Sequence, residues 1–340
     1  MNDEKLLTIA IPTYNRACFL NVLLGSIYAQ LIDKNYPVNV IVFDNNSSDE
    51  TAAVVASYKN KGLPVVYKKN KSNIGADGNI ARAFVDSASK YVWVVGDDDI
   101  LLDGAIRSAV EIIKDVNPSL VFIGCRGFSG DCNFKDEKHS KILFSELNPL
   151  NFLKRTNISL TFISAVIVNK YALVNSDFIQ NLEELQGTNL VQLGWVLPSI
   201  RLPLPLIYVS TKLIAARNEN RGGYGEFNVF VKNFSEIVAG YYLEFPRWVE
   251  IINNFSIREH YTLLIMFLKL DGGAFHVEDY KDILLKVCGG NFRYWIYLYP
   301  LLKSSGCFKR IIYFFIRVIN FAIRFPLFVW LRITSKSIDC

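Results

Sequence analysis

Acidic residues are missing from one long stretch of this chain: from Lys286 to Ile338 there are nine Lys and Arg and no Asp or Glu. The formal net charge of +5 therefore hides an asymmetry, because the rest of the chain is net acidic. A nucleic-acid binder would spread positive charge over its folded domain, so a charge confined to an aromatic, aliphatic tail argues against DNA or RNA and for an anionic membrane surface. Histidine is scarce as well; His139, His260 and His276 share no metal-ligand spacing and are assigned no role. The six cysteines, Cys18, Cys125, Cys132, Cys288, Cys307 and Cys340, include no C-x-x-C pair and no zinc-site or disulfide-scaffold spacing. Reduced, mostly buried thiols are expected.

Residues Met1 to Lys5 lead straight into an apolar strand without the basic and apolar regions of a secretion signal, so a cytosolic chain is expected. Internal repeats and low-complexity tracts are also missing. Phe308 to Ile333 is strongly apolar, yet Arg310, Arg317, Arg324 and Arg332 leave no uncharged run longer than seven residues. A spanning helix needs about 20 mostly apolar residues, so insertion across a bilayer is not expected.

What the chain has in abundance is apolar mass. Of its 340 residues 51% are hydrophobic, with 24 Phe and 17 Tyr, richer than an ordinary soluble domain and enough for one large core or two modest ones. Apolar runs predict strands at Leu6 to Ile11, Val38 to Phe43, Val65 to Lys68, Tyr91 to Val95, Leu120 to Gly124, Phe162 to Asn169 and Leu206 to Ser210. Helical spacing predicts helices at Phe19 to Gln30, Thr51 to Lys59, Asn79 to Ser89, Ala105 to Lys114 and Leu190 to Ile200. This alternation is the rhythm of an α/β sheet with helices on both faces. Arg126 to His139 reads as a loop or weak hairpin, Arg217 to Gly225 as a loop, and the chain beyond Phe227 as helical.

In such sheets ligands collect at the carboxyl ends of the strands. Three polar clusters fall there, around Thr13, Asp44 and Asp97. Gly96-Asp97-Asp98-Asp99 concentrates three carboxylates whose repulsion needs a cation or hydrogen-bond donors to offset it. Hard oxygen ligands of this kind suit Mg²⁺ or Mn²⁺ shared with phosphate oxygens; the plainer alternative is a solvated turn that caps the next helix. Asp44 is suited to accept hydrogen bonds from a pyrimidine edge or sugar hydroxyls, although Asp-Asn-Asn-Ser-Ser is also ordinary turn chemistry.

Ile9-Ala-Ile-Pro-Thr-Tyr-Asn-Arg16, Val40-Ile-Val-Phe-Asp-Asn-Asn-Ser-Ser-Asp-Glu-Thr51, Asn73-Ile-Gly75 and Gly96-Asp-Asp-Asp99 stand in the order and spacing of family 2 glycosyltransferases, which the chain resembles over roughly residues 6 to 125. The resemblance implies a GT-A (Rossmann-like) α/β/α sandwich with a mixed, mainly parallel sheet, a nucleotide-diphospho-sugar donor and inversion at the anomeric carbon. It implies nucleotide-sugar binding by Pro12, Thr13, Tyr14, Asn15, Arg16, Asp44, Asn73, Gly75, Asn79, Asp97 and Asp98, and a divalent metal, Mn or Mg, on Asp99 first and Asp97 second. Many members read Asp-x-Asp-Asp where Gly96 stands, which blurs the role of each aspartate. Many also carry Glu-Asp in the acceptor half, where Gln186-Gly-Thr-Asn-Leu-Val-Gln192 has no carboxylate. That stretch is similar to a subset of O-antigen transferases that includes abequosyltransferases. The general base is then Glu183 or Glu184, unless these are solvent-facing charges, or one of Asp98 and Asp99. Arg217 and Arg221 have a counterpart in a family loop that closes over the diphosphate, although an exposed Gly- and Asn-rich connection would look the same.

Along the chain these readings give a donor-binding half at 1–125, an acceptor-binding half at 126–225 and a helical C-terminal membrane-association region at 226–340. In the tail, about 308–333, Arg310, Arg317 and Arg324 recur every seven residues, forming one helical stripe with Asn320 beside it. The remaining surface is a wide apolar face suited to a membrane interface, with Tyr313 and Trp330 near headgroup level and Pro326 ending or kinking the helix; a core helix with snorkelling arginines is the alternative. The function expected is transfer of a sugar, a deoxyhexose by analogy, to a polyprenyl-type lipid-diphosphate-linked glycan at the inner membrane face, in bacterial O-antigen or surface polysaccharide assembly. The alternative is a catalytically silent nucleotide-sugar or glycan-binding scaffold.

Overall fold

The protein is described by a computed structural model covering residues 5–130, 141–174, 178–218, 223–267 and 279–339, with the side chains of 324–334 and 339 left aside. Contacts divide it into two compact units. The first comprises Met1–Pro149, Leu160–Glu219 and Lys336–Cys340, the second Leu150–Ser159 and Asn220–Ser335. Residues 150–159 and 336–340 depart from the linear order of the two units.

The first unit is built on a sheet. Its strands are β1 (Leu7–Thr13), β2 (Val38–Asp44), β3 (Val65–Lys69), β4 (Tyr91–Val94), β5 (Ile100–Leu101), β6 (Leu120–Phe128), β7 (Lys141–Leu147), β8 (Val166–Asn169), β9 (Leu206–Arg217) and β10 (Lys336–Asp339). They lie in the order β10-β7-β9-β6-β8-β4-β1-β2-β3, with β5 paired to β9. The helices between them are α1 (Ala17–Leu31), α2 (Thr51–Asn60), α3 (Gly75–Val85), α4 (Ala105–Val116), α6 (Phe178–Glu184) and α7 (Leu193–Arg201); α5 (Pro149–Thr156) lies almost wholly in the second unit. Central strands buried on both faces read as unbroken apolar runs, and Leu7, Ile9, Val40, Val42 and Trp93 are indeed fully covered.

The sheet is mixed, but parallel pairing is not dominant. Among the described strands β3-β2-β1-β4 are parallel and β6 runs parallel to β9, while β4-β8, β8-β6, β5-β9, β9-β7 and β7-β10 are antiparallel. Neither β7 nor β10 is visible as a strand in the apolar pattern: β7 alternates buried and exposed residues rather than forming an unbroken apolar run, and β10 is a four-residue strand at the sheet edge. β9 runs past the expected Ser210 to Arg217 by means of a bulge opposite Gly124, where an added Cβ would meet the Thr211 carbonyl at 2.8 Å. The expected strand Phe162 to Asn169 is kept in its second half as β8, while Ile163–Ala165 form a short 3₁₀ turn instead. That turn is pinned by the Trp93 indole N–H, which donates to the Ser164 carbonyl at 2.7 Å.

Aromatic packing joins α3, α6 and α7. Phe84 of α3 stacks on Trp195 of α7 with ring centroids 4.2 Å apart and meets Phe178 of α6 edge-on at 6.0 Å. Both Phe84 and Trp195 are buried.

The second unit is helical among its described residues: π-helical turns at Asn228–Asn233, Ser256–Tyr261 and Tyr294–Leu298, with α8 (Phe234–Tyr241), α9 (Pro246–Phe255), α10 (Thr262–Phe267), α11 (Tyr280–Cys288), α12 (Tyr299–Lys303) and α13 (Gly306–Thr334). Tyr242, Tyr261, Phe234 and Leu298 form its interior. The backbone of α13 continues through Pro326, which removes one rung of the helical ladder without ending it. Cys18, Cys125, Cys288 and Cys307 are free thiols, and Cys132, His139 and His276 lie outside the described residues.

Truncating the central ring of the aromatic stack, Phe84→Ala, is expected to cost about 3–5 kcal/mol of unfolding free energy. Urea denaturation measures it; a loss below about 1 kcal/mol would show that the stack is not what joins α3 to α7.

Candidate functional site

Three strand ends converge on the acidic turn. β1 delivers Thr13, whose hydroxyl donates to Asp97 Oδ2 at 2.7 Å. The turn that follows delivers Arg16, and its guanidinium donates to Asp97 Oδ1 and to Asp98 Oδ2, each at 3.0 Å. Asn15 makes this possible by adopting a left-handed φ of 51°, which asparagine tolerates better than most residues. Its amide N–H donates to Ser47 Oγ at 2.8 Å and its side-chain oxygen accepts from the Ser48 amide at 2.8 Å, so the β1 and β2 turns brace each other. Tyr14 is 44% exposed at the same turn.

Asp99 is held differently. The Ser164 hydroxyl donates to Asp99 Oδ2 and accepts from the Gly96 amide at 2.8 Å, while the Arg217 amide donates to Asp99 Oδ1 at 3.3 Å. A Cβ on Gly96 would lie 3.1 Å from Asp99 Oδ2 and 3.4 Å from Ser164 Oγ. Glycine at position 96 thus makes room for Asp99 and its serine partner.

Burial of these carboxylates is costly. It pushes Asp97 up to about 6, against the opposing pull of the Arg16 charge and the Thr13 hydrogen bond. Asp99 rises to about 7, again through burial first, with the Ser164 bond pulling back and the Asp98 and Asp97 charges adding to the rise. One guanidinium does not offset three clustered acids. Among the described residues no three His, Cys, Asp or Glu side chains form a group that could hold a metal ion. A divalent cation fits the excess charge and the hard oxygen donors, with the rest of its ligands drawn from phosphate and water, as Mg²⁺ commonly binds.

Asp44 ends β2 fully buried. Its Oδ1 accepts from the Ser47 amide at 2.9 Å and from the Ser47 hydroxyl, and its Oδ2 from the Tyr67 phenol. Burial and that bond to Asp44 push the Tyr67 phenol well up. The turn chemistry of Asp44 is therefore realised, and its carboxylate is rigidly oriented. Asn73, Gly75 and Asn79 join an amide network that runs from the surface to the interior: Asn45 donates to Asn73 Oδ1 at 2.8 Å and to the Gly75 carbonyl at 3.0 Å, while buried Asn79 donates to the Phe43 carbonyl at 2.9 Å. The network starts α3 at Gly75, earlier than apolar spacing predicts, because the Asn73 side chain accepts from the Gly75 amide at 2.8 Å. Pro12 continues β1 between Ile11 and Thr13.

The remaining expectations separate. Arg217 ends β9 rather than opening a loop, its guanidinium packed 4.8 Å from the Phe19 ring and 4.6 Å from the Phe128 ring. Arg221 lies outside the described residues. Glu183 and Glu184 occupy the exposed side of α6, where Glu184 accepts from Gln180 at 3.2 Å; no bond links them to the aspartate cluster. Two residues escaped the sequence reading. Ser164 sat inside an apolar run read as strand. Asp77, 6% exposed in the first turn of α3, accepts from the Asn189 amide at 2.9 Å and from neighbouring amides of the turn at 187–191. Burial raises the Asp77 carboxyl and those amides pull it back. The stretch that lacks a carboxylate of its own is thereby anchored on one 112 residues away.

The family model described as glycosyl transferase family 2 matches residues 8–182. The chain is 35% identical over 98 residues to the abequosyltransferase RfbV of Salmonella typhimurium, a match covering 28% of this chain and 29% of that protein. It is 30% identical over 145 residues to the GalNAc(5)-diNAcBac-PP-undecaprenol beta-1,3-glucosyltransferase of Campylobacter jejuni, covering 40% of this chain and 46% of that protein. These matches span less than half of either relative. Among solved structures, residues 1–349 of TarS from S. aureus in complex with UDP superpose with a TM-score of 0.57 at 20% identity, over 78% of this chain and 76% of that one.

Ser164→Ala leaves the Gly96 amide and Asp99 without their shared partner and is expected to cost about 1–3 kcal/mol, read by chemical denaturation; an unchanged midpoint would show that Ser164 does not bridge the two. Because the folded chain holds Asp99 near 7 and the ordinary carboxyl value is 3.8, the folded state binds its proton more readily. Asp99 therefore contributes stability that is lost as pH rises between those values, and Asp99→Asn should flatten that slope. Identical slopes in the two proteins would contradict the assignment.

Proposed function

The chain belongs to glycosyl transferase family 2, and from that premise we propose that it moves a sugar, with inversion, from a nucleotide diphosphate to a lipid-diphosphate-linked glycan in surface polysaccharide assembly. The observation that carries the reading is the aspartate turn, where three carboxylates, Arg16 and Thr13 meet at the carboxyl ends of β1 and β4. Support for the acceptor comes from the Campylobacter relative, named for an undecaprenol-diphosphate glycan. A deoxyhexose donor is the first to test, on the strength of the abequosyltransferase similarity. A glycan of this kind is attached to the inner face of the cell membrane, which is where we propose the protein works.

Inversion requires the acceptor hydroxyl to attack the anomeric carbon opposite the departing diphosphate, while a carboxylate takes the hydroxyl proton. Asp44, oriented by Ser47 and Tyr67, binds the nucleotide base, with Thr13 and Tyr14 bordering it. Asp97 and Asp98 set the ribose and diphosphate through Arg16, and Asp99 with Asp97 would hold a divalent metal, Mn or Mg, which when bound neutralises phosphate charge. The Arg16 and Arg217 guanidiniums favour the leaving diphosphate. Asp98, Glu183 and Glu184 are the candidates for the base.

Purified protein supplied with CDP-, UDP-, GDP- and dTDP-sugars and Mn²⁺ or Mg²⁺ is expected to bind and turn over one donor class. Asp99→Ala should abolish turnover with the fold intact by circular dichroism. Transfer lost with donor binding retained, in one of Asp98→Asn, Glu183→Gln or Glu184→Gln, identifies the base. Tight donor binding with no turnover on any lipid-linked acceptor would support a silent scaffold instead, and no binding at all would end both readings.

A further inference from the structure

The last helix of the second unit is packed inside out. A surface helix ordinarily turns its apolar stripe to the core and its charges to water. In α13 the polar groups are the ones engaged inward: Lys309 Nζ donates to the Ile265 carbonyl at 3.0 Å, Arg317 donates to Glu259 at 3.1 Å, and Asn320, 2% exposed, donates to the Arg258 carbonyl at 2.9 Å. Among the side chains described on this helix only Ile316 and Asn320 are buried. The large apolar side chains face the other way. Phe308, Ile311, Phe314, Phe315, Val318 and Phe321 are between 50% and 69% exposed. At 3.6 residues per turn these six fall on one continuous arc of about 140°, roughly two-fifths of the helix circumference. Arg310 and Arg317 lie along one edge of it, on the stripe that their seven-residue spacing sets. In the same unit, before α12, Trp295 and Ile296 are also half-exposed.

An apolar arc of this width is too large to be incidental surface. Its occupant is indicated by charge and by length. From Lys286 to Ile338 every charged residue is cationic, so the complementary surface is anionic. A second copy of the same face would bring like charges together along the edge of the arc. Among the described residues no helix is long and apolar enough to cross a membrane, which leaves a helix lying in the plane of the interface.

We infer that the outward face of α13 docks on the headgroup region of an anionic lipid bilayer, with its phenylalanines inserted among the acyl chains and Arg310 at the phosphates. The inference stands on the second unit alone and does not depend on the glycosyl-transfer reading.

The test uses the full chain and vesicles of phosphatidylcholine alone or mixed equally with phosphatidylglycerol. Wild-type protein is expected to sediment with the mixed vesicles, less so as salt is raised, and weakly with phosphatidylcholine alone. The triple variant Phe314→Ser, Phe315→Ser, Phe321→Ser alters only exposed side chains, so its melting temperature should hold while its vesicle partitioning falls at least tenfold. Arg310→Gln should weaken binding to the mixed vesicles severalfold and leave the weak binding to phosphatidylcholine unchanged. Equal sedimentation of the wild type and the triple variant would overturn the proposal. So would a wild type that ignores vesicles and elutes as a dimer which the triple variant dissociates, since the arc would then be a self-association surface. Vesicle binding by a protein that turns over no donor would sink the transferase reading and leave this one standing.

Discussion

Three carboxylates on consecutive residues, in a turn that covers Asp97 and Asp99 to within 5% of full burial, set the electrostatic constraint around which the sheet's working edge is arranged. Isolated anions in a low-dielectric site either neutralise or recruit partners. Here the partners arrive from strands distant in sequence: Thr13 and Arg16 from the end of β1, Ser164 from the 3₁₀ turn before β8, and the Arg217 amide from the end of β9. Each must be placed to within a hydrogen-bond length, so the parallel register of β1 with β4 and the bulge in β9 are part of the site as much as the aspartates are. Compensation is partial, because burial still holds Asp97 and Asp99 above the ordinary carboxylate range.

Around that turn, side-chain amides and hydroxyls take the place that regular secondary structure has elsewhere. Ser47 and Tyr67 occupy Asp44, Asn45 and Asn79 join the end of β2 to the start of α3, and Asp77 collects the amides of the turn at 187–191. Buried polar groups in such a mesh rigidify because leaving any one unpaired costs more than the bond itself contributes. The mesh fixes the loops that connect strand to helix, which are the segments a ligand would meet first.

The helical unit follows a different logic. Its interior is aromatic, with Tyr242, Tyr261 and Phe234 closed off, yet its longest helix buries Asn320 and bonds Lys309 and Arg317 to the rest of the unit while its phenylalanines face outward. Water alone does not favour that arrangement; a lipid interface would, with acyl chains over the apolar arc and headgroups at the basic edge.

Much of the fold was legible from the residues. Buried strands such as Leu7–Thr13, Val38–Asp44 and Tyr91–Val94 are apolar on both faces, and their ends were marked by Thr13, Asp44 and Asp97, so the sequence by itself determined the α/β rhythm, the acidic cluster and the basic, aromatic character of the tail. Hydrophobic periodicity reports only whether a side chain is covered, and this is why the strands β7 and β10, the antiparallel half of the sheet and the 3₁₀ turn carrying Ser164 were left for tertiary structure to decide. The same limit applies to partners. Gly96 reads as a lost aspartate until Ser164 and Asp99 are seen against it, and Asp77 reads as a helix-start residue until the 187–191 turn closes over it. Which side of α13 faces inward was likewise undecided, since a helical wheel fixes the separation of polar and apolar faces and only packing against Glu259 and Arg258 assigns one of them to the protein.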